Sequence, residues 1–190
     1  MMKNAAGFTL LELLTTVTIA GILVVISTSF SGVVKNNVIS STVQEFVTAL
    51  NLARSEAITR SARITMCKSD ASVEPRQCVT DGNGSGWNQG WIVFVDVNND
   101  QTVVNPGTNI LRVYDTLAAN IDFAGSANVQ DFISYGSSGF PTNADGTPLA
   151  RSMITLCDER RVGATARQIT IETTGHVSIE PVSSATVCGS

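Results

Sequence analysis

The sequence has few charged side chains, one histidine and no closely spaced cysteine pair, and each shortage excludes a class of function. Lys, Arg, Asp and Glu make up 15% of the 190 residues, and the net charge of −4 disfavours a generally basic nucleic-acid binder. The single histidine, His176, belongs to no recognisable catalytic pattern, and no Gly-x-Ser-x-Gly motif is present. We therefore predict that the protein is not an enzyme and that it uses no cofactor or metal ion.

The chain does contain one long apolar run near its start. Residues 8–26 are almost all apolar or small, and a helix of 19 residues spans roughly 28 Å, about the thickness of a bilayer's hydrocarbon core. Glu12 is the one ionisable residue within it, and a carboxylate in lipid costs on the order of 2 to 3 kcal/mol on insertion scales. A plain membrane anchor gives no reason for this acid.

A secretory signal peptide is the alternative interpretation of the same run. It predicts an Ala-x-Ala-like cleavage site after the apolar segment, whereas residues 27–32 read Ser-Thr-Ser-Phe-Ser-Gly. It also leaves Glu12 in the middle of the apolar region. The carboxylate therefore needs a different explanation.

The stretch Gly7-Phe8-Thr9-Leu10-Leu11-Glu12 resembles the class III signal of type IV prepilins and type II secretion pseudopilins. The resemblance implies that a prepilin peptidase cuts after Gly7 on the cytoplasmic side and methylates Phe8. It also implies that the Glu12 carboxylate meets the N-terminal amine of a neighbouring subunit during assembly. An ammonium and a carboxylate that are each costly in lipid offset each other when paired. We expect a leader at 1–7, a transmembrane and polymerisation helix at 8–34, and a head domain at 35–190.

Beyond the apolar run the pattern becomes that of an amphipathic helix. Val43, Phe46, Leu50, Ala53 and Ala57 recur at spacings of three and four, which predicts that the helix continues to about residue 60. The serine- and glycine-containing run at 27–32 predicts a bend or local unwinding within it.

The rest of the chain reads as strands and turns. Strands are predicted at 62–68, 91–96, 110–114, 121–123, 132–135, 152–158, 167–172 and 176–180. The last two flank Thr173-Thr174-Gly175 and indicate a hairpin. A long N-terminal helix packed on antiparallel strands, an α+β fold, is the architecture that these elements favour.

The resemblance extends along most of the chain to the GspH/FimT family of minor pilins and pseudopilins, which implies a type IV pilin-like fold. The matching stretches are Leu52-Ala53-Arg54-Ser55-Glu56-Ala57, Ile64-Thr65-Met66-Cys67, Gly90-Trp91-Ile92-Val93-Phe94-Val95-Asp96, Ile154-Thr155-Leu156-Cys157-Asp158 and the hairpin at 167–179.

Four cysteines are available for disulfides: Cys67, Cys78, Cys157 and Cys188. A basic cytoplasmic leader places the rest of the chain in the periplasm, where disulfides form. Four cysteines allow three connectivities, and we prefer Cys67 with Cys78 and Cys157 with Cys188, because each bond then closes a loop at the end of a strand. Zinc is the weaker alternative, since there is no Cys-x-x-Cys pair and only one histidine.

Two further patterns suggest ligands. Asp96-x-Asn98-x-Asp100 has the spacing that opens a calcium loop, but Gln101 and Gly107 occupy the positions where that loop needs Gly and Glu, so an Asx-rich turn is favoured. The second pattern is a group of arginines that would contact phosphate if the fold brings them together: Arg151, Arg160, Arg161 and Arg167. Scattered solvated charges are the alternative.

The family resemblance weakens the DNA hypothesis. DNA-binding FimT proteins look to carry Gly-Arg-x-Arg at the C-terminal hairpin, whereas this chain has Gly175-His176-Val177-Ser178 there. Histidine is mostly neutral at pH 7, and serine is uncharged, so most of the electrostatic attraction is missing. DNA contacts by Arg160, Arg161 and Arg167 remain a disfavoured hypothesis.

Three functions stay open. The favoured one is a minor pilin, similar to FimU, in a priming or tip complex of type IV pilus assembly. The others are a FimT-like DNA-binding pilin for natural transformation and a GspH-like type II secretion pseudopilin. The implied partners are other minor and major pilins, the prepilin peptidase and the inner membrane. The implied location is a single-pass inner-membrane protein with a periplasmic head, which joins a pilus or pseudopilus on assembly.

Overall fold

A computed structural model describes residues 9–80, 86–115, 117, 121–158 and 166–182, with the side chains of residues 25–35 left out. The helices and strands in chain order are α1 (Leu10–Arg60), β1 (Ile64–Lys68), β2 (Trp91–Val95), α2 (Pro106–Asn109), β3 (Ile110–Tyr114), β4 (Ile121–Gly125), β5 (Phe132–Tyr135), β6 (Pro141–Thr142), β7 (Ser152–Asp158), β8 (Arg167–Ile171) and β9 (Val177–Pro181). Short 3₁₀ helices lie at Trp87–Gln89 and Ala127–Val129.

The strands form two antiparallel sheets. One has the order β3-β2-β1-β5-β6 and the other the order β4-β7-β8-β9. Each predicted strand has a counterpart, and the α+β fold with an N-terminal helix and antiparallel strands is confirmed. The sequence did not predict β6, since two residues are too few to show alternation.

Helix α1 is α-helical without interruption over its 51 residues. The local unwinding predicted at 27–32 is therefore wrong, and the bend stays a prediction. A glycine inside a helix costs only about 1 kcal/mol, and cooperative propagation through the long flanking segments exceeds that cost.

The chain separates into two compact units, one through Val38 and one from Ile39 onward. Within the second unit, α1 presents a buried apolar stripe at the spacing of an amphipathic helix. The buried side chains are Ile39, Val43, Phe46, Ala49, Leu50, Ala53 and Ala57.

Phe46 lies at the centre of an aromatic cluster in this core. Its ring makes edge-on contacts with Trp87, Trp91 and Phe123, at centroid distances of 5.1, 5.1 and 4.7 Å. Trp91 belongs to β2 and Phe123 to β4, so one helix side chain contacts a strand of each sheet. The indole N–H of Trp87 donates to the carbonyl of Val129 at 3.1 Å, which satisfies its buried polar group.

Strand β1 is buried on both faces, which the alternation of Ile64 and Met66 with polar neighbours does not indicate. All five of its residues are buried. The second face is covered by a smaller core whose buried members are Cys67, Ile92, Phe94 and Val103, with Cys78, Ile110 and Phe132 packed against it. This side of the sheet is covered by loop residues that no strand periodicity can reveal.

One predicted disulfide lies within this smaller core. Cys67 at the end of β1 is bonded to Cys78, as the sequence-local pairing predicts. Cys157 on β7 is also disulfide-bonded and packs with Ala166 and Val182. Its predicted partner, Cys188, lies outside the described residues.

Candidate assembly segment and hairpin surface

The predicted processing site and the predicted assembly acid lie at the start of α1. Gly7 and Phe8 are outside the described residues, while Glu12 is in the first helical turn. The backbone N–H of Glu12 donates to Thr9 Oγ1 at 3.3 Å, so Thr9 caps the helix. Thr9-Leu10-Leu11-Glu12 is a capping-box sequence, a start signal that the sequence analysis did not use.

Glu12 is solvent-exposed, and within the described part of the chain it makes no ion pair. A carboxylate near a helix N-terminus is favoured by the exposed N–H groups of the first turn. The Glu12 carboxylate can still pair with a cation from another chain while it has this interaction.

The threonines that follow are satisfied by their own helix. The hydroxyls of Thr15, Thr16 and Thr18 donate to carbonyls three or four residues earlier, at 2.8 to 3.1 Å. Such internal bonds remove the need for water at these polar groups. The segment therefore presents an apolar surface despite its hydroxyl groups.

Large apolar side chains of this segment are exposed around the helix rather than along one stripe. They are Leu10, Leu11, Leu13, Leu14, Val17, Ile19, Ile22, Leu23 and Val24, each between 58% and 82% exposed. No helix in the part of the chain that the structure describes is long and apolar enough to cross a membrane. The predicted span 8–34 also includes Phe8 and the side chains of residues 25–34, which lie outside that part.

The second candidate surface is the hairpin of β8 and β9. Its turn is closed by the N–H of Glu172 donating to the carbonyl of His176 at 2.9 Å, and by Gly175 donating back to Glu172 at 2.8 Å. Gly175 has φ +79°, a conformation that glycine adopts without strain. His176 is exposed beside the turn, so the position that carries arginine in the DNA-binding motif holds a solvent-facing imidazole here.

Arg54 of α1 holds this turn in place. Its Nη1 donates to the carbonyl of Gly175 at 3.0 Å and its Nη2 to that of Thr174 at 3.1 Å. The planar guanidinium thereby binds two successive carbonyls, a fork geometry that lysine cannot reproduce. The sequence analysis quoted Arg54 only within a family stretch and gave it no role.

The structure does not assemble the predicted basic face from the arginines it describes. Arg151 pairs with Glu172 at 3.0 Å and is thereby neutralised. Arg167 pairs with Leu156 in the sheet register, whereas Ser152, next to Arg151, pairs with Ile171. Four residues of strand separate these two positions, about 13 Å. Arg160 and Arg161 lie outside the described residues.

The Asp96 loop forms an Asx-rich turn. The buried Asp96 carboxylate accepts from the N–H groups of Asp100 and Gln101 at 3.2 and 3.3 Å, and from Thr65 Oγ1 at 3.0 Å. Hydrogen bonds from the Thr102 side chain and backbone lower the pKa of Asp100. Protein donors therefore occupy these oxygens, and the described residues contain no cluster of three or more metal-binding side chains.

Comparison with known families matches two parts of the chain. Residues 42–175 match the family described as type II transport protein GspH, and residues 2–28 match the prokaryotic N-terminal methylation motif. The first match covers most of the second compact unit, and the second covers most of the predicted leader and the apolar run. No curated protein matches the chain.

Solved structures share the fold at low sequence identity. The type IV minor pilin FimU of Pseudomonas aeruginosa is similar with a TM-score of 0.54 at 19% identity, covering 76% of this chain and 90% of FimU. A second crystal form of FimU gives 0.51 at 18% identity, with coverages of 75% and 92%. The minor pseudopilin EpsH of the Vibrio cholerae type 2 secretion system gives 0.46 at 12% identity, with coverages of 75% and 95%.

Proposed function

The chain belongs to the GspH family of type II transport proteins, and from this premise we propose that it is a minor pilin of a priming or tip complex in type IV pilus assembly. Its coarser role as a minor pilin or pseudopilin follows from the GspH match together with the N-terminal methylation motif. The finer role is supported by the exposed apolar segment and by the FimU-like fold of the head.

The observation that carries the proposal is the exposure of nine large apolar side chains between Leu10 and Val24. A soluble domain does not leave so many neighbouring apolar residues in water, because each buried side chain would contribute about 1.5 to 3 kcal/mol. We infer that the segment lies in a membrane before assembly and packs against the helices of neighbouring subunits after it. We propose a single-pass inner-membrane protein with a periplasmic head.

Glu12 sets the register of assembly in this proposal. Prepilin peptidase cuts after Gly7, and the new N-terminal amine of methylated Phe8 on a neighbouring subunit pairs with the Glu12 carboxylate. Glu12 is exposed in the first helical turn and has no ion-pair partner among the described residues, which suits it to an ammonium from another chain.

A type II secretion pseudopilin is the second candidate, which the family's own description favours. In this proposal helix α1 and Glu12 would have the same role in a type II secretion pseudopilus as in a type IV pilus. DNA uptake is disfavoured, because the hairpin lacks both arginines of the motif and Glu172 neutralises Arg151. A DNA affinity that falls steeply as salt rises would reverse this judgement.

Glu12→Ala tests the proposal, with Glu45→Ala as the matched control, since Glu45 is another exposed glutamate of α1. The full chain is expressed in cells that have pili and a type II secretion system, and its amount is measured in sheared pili and in pseudopili. We expect Glu12→Ala to lower incorporation into pili by about tenfold or more, equivalent to about 1.4 kcal/mol or more, and Glu45→Ala to leave it unchanged. Normal incorporation of Glu12→Ala into pili would contradict the proposal. Incorporation of the unsubstituted chain into pseudopili but not into pili would favour the second candidate.

A further inference from the structure

Three segments of the head meet at the end of α1 and form what we call the helix-end patch: Arg54, Ile58, Gly139, Phe140 and Gly175. A methyl group on Gly139 would lie 2.7 Å from Cδ1 of Ile58, and one on Gly175 would lie 2.9 Å from the carbonyl oxygen of Gly139. Both glycines have positive φ, +77° and +79°. Both positions therefore favour glycine, and the patch is a closely packed junction.

The patch exposes two large apolar side chains on this junction. Ile58 is 52% exposed and Phe140, which follows Gly139, is 50% exposed. The neighbouring Ala57 is fully buried, so the apolar stripe of α1 does not account for Ile58. Ile58 is exposed on α1, and Phe140 is exposed beside the turn at Gly139. The fully buried centre of a protein interface is apolar and enriched in aromatic side chains, so this pair is suited to such a centre.

The patch also carries an unbalanced positive charge. Arg54 is half-buried and binds two carbonyl oxygens, and among the described residues no carboxylate lies within 4 Å of it. The two nearby acids are occupied, because Glu172 pairs with Arg151 and Glu56 pairs with Arg60. Tyr135, whose buried hydroxyl is influenced by Arg54, is neutral at physiological pH.

Resting on the proposed function, we propose that the helix-end patch is the docking surface for the head of a different pilin subunit, which presents a carboxylate beside an exposed apolar side chain. The apolar part of that partner covers Ile58 and Phe140. Its carboxylate compensates Arg54, whose guanidinium is already oriented by the hairpin turn. Charge complementarity of this kind selects the partner and fixes its register more than it adds affinity.

In-cell photo-cross-linking of the full chain tests the surface. A photoreactive benzoylphenylalanine replaces Phe140 in one strain and Val113 in another; Val113 is an apolar residue of β3, 40% exposed, and serves as the control. We expect light-dependent coupling from position 140 to another protein with an N-terminal methylation motif. Mass spectrometry should place the coupled residue next to an Asp or Glu. No coupling from position 140, coupling of equal strength from position 113, or coupling to a second copy of this chain would overturn the proposal.

A charge substitution tests the same surface without the probe. Phe140→Glu places a carboxylate next to Gly139, whose Cβ position lies 3.5 Å from Arg54 Nε, and this charge repels the partner's acid. Val113→Glu adds the same charge on β3. We expect Phe140→Glu to lower incorporation about tenfold, the range of an interface hot spot, with Val113→Glu unchanged. Equal incorporation of the two variants, with Glu12→Ala still defective, would overturn the docking surface and leave the proposed function intact. If Glu12→Ala also assembles normally, the proposed function fails as well.

Discussion

Helix α1 contributes to two regions that contain similar side chains with opposite exposure. Before Val38, Leu13 and Val17 are 59% and 63% exposed, whereas Phe46 and Leu50 in the second unit are fully buried. The buried residues form a stripe with polar residues opposite, and the exposed ones surround the helix. Apolar composition alone therefore does not separate a folding core from an assembly surface; the angular distribution of apolar residues does.

The largest expected effect is a difference in the free energy of unfolding between two alanine variants, one in each region. Phe46→Ala should lower the free energy of unfolding by about 3 to 5 kcal/mol, because it leaves a cavity among Trp87, Trp91 and Phe123. Val17→Ala should change it by less than about 0.5 kcal/mol. Urea unfolding of the full chain in detergent, followed by tryptophan fluorescence, measures both. Equal losses for the two variants would show that the regions do not differ in this way.

A second test removes the covalent bond in the small core of the head. The double variant Cys67→Ala/Cys78→Ala should lose about 2 to 4 kcal/mol of stability, because the bond closes a loop with a sequence separation of 11. Its incorporation into pili should fall only as far as the amount of folded protein falls. An unchanged free energy of unfolding for the double variant, measured in the same urea experiment, would contradict this.

The smallest effect concerns one hydroxyl in the head core. Burial raises the pKa of Tyr135 to about 12, above the ordinary value of 10.0. A raised pKa means that the folded state favours the protonated phenol. The resulting contribution to the free energy of unfolding is complete below pH 10 and is lost as the pH rises through 12. The loss amounts to about 2 to 3 kcal/mol by linkage.

Tyr135→Phe is the matched variant for that hydroxyl. The Tyr135 oxygen has no hydrogen-bond partner within the described residues, so the variant should be as stable as the parent at pH 7 or slightly more stable. The absorbance titration at 295 nm should also lose the part that the parent shows near pH 12, while Tyr114 still contributes to the titration. A decrease of more than about 1 kcal/mol in the free energy of unfolding at pH 7 would show that this hydroxyl is hydrogen-bonded. An unchanged titration would show that Tyr135 does not cause the absorbance change near pH 12.

Periodicity predicted the elements whose pattern is set by one face. The stripe through Val43, Phe46 and Leu50 predicted the head part of α1. The strand at Ile110–Tyr114 was also predicted to the residue, as the return after the Asn98-Asn99-Asp100 turn and not from periodicity. At β1 periodicity predicted the strand but not its burial on both faces, because residues distant in sequence, Cys78 and Val103 among them, cover the second face. The division into two sheets also depends on pairings between distant segments, and no local pattern specifies them.

The candidate sites were predictable in different degrees. Glu12 stands out from the sequence because a lone acid in an apolar run needs a partner. Arg54 does not stand out, since its role depends on the carbonyls of Thr174 and Gly175, which lie more than 100 positions away. The exposure of Ile58 and Phe140 likewise depends on how the end of α1 meets the turns at Gly139 and Gly175.

The most direct test of this account is the accurate mass of the chain's N-terminal peptide, isolated from the envelope and from sheared pili. If the apolar part of α1 is an assembly segment, the mature chain begins at a methylated Phe8 and retains residues 8–26 in both fractions. A mature chain that begins after residue 26, as signal peptidase would leave it, would contradict the account, because the protein would then reach its destination as the head alone.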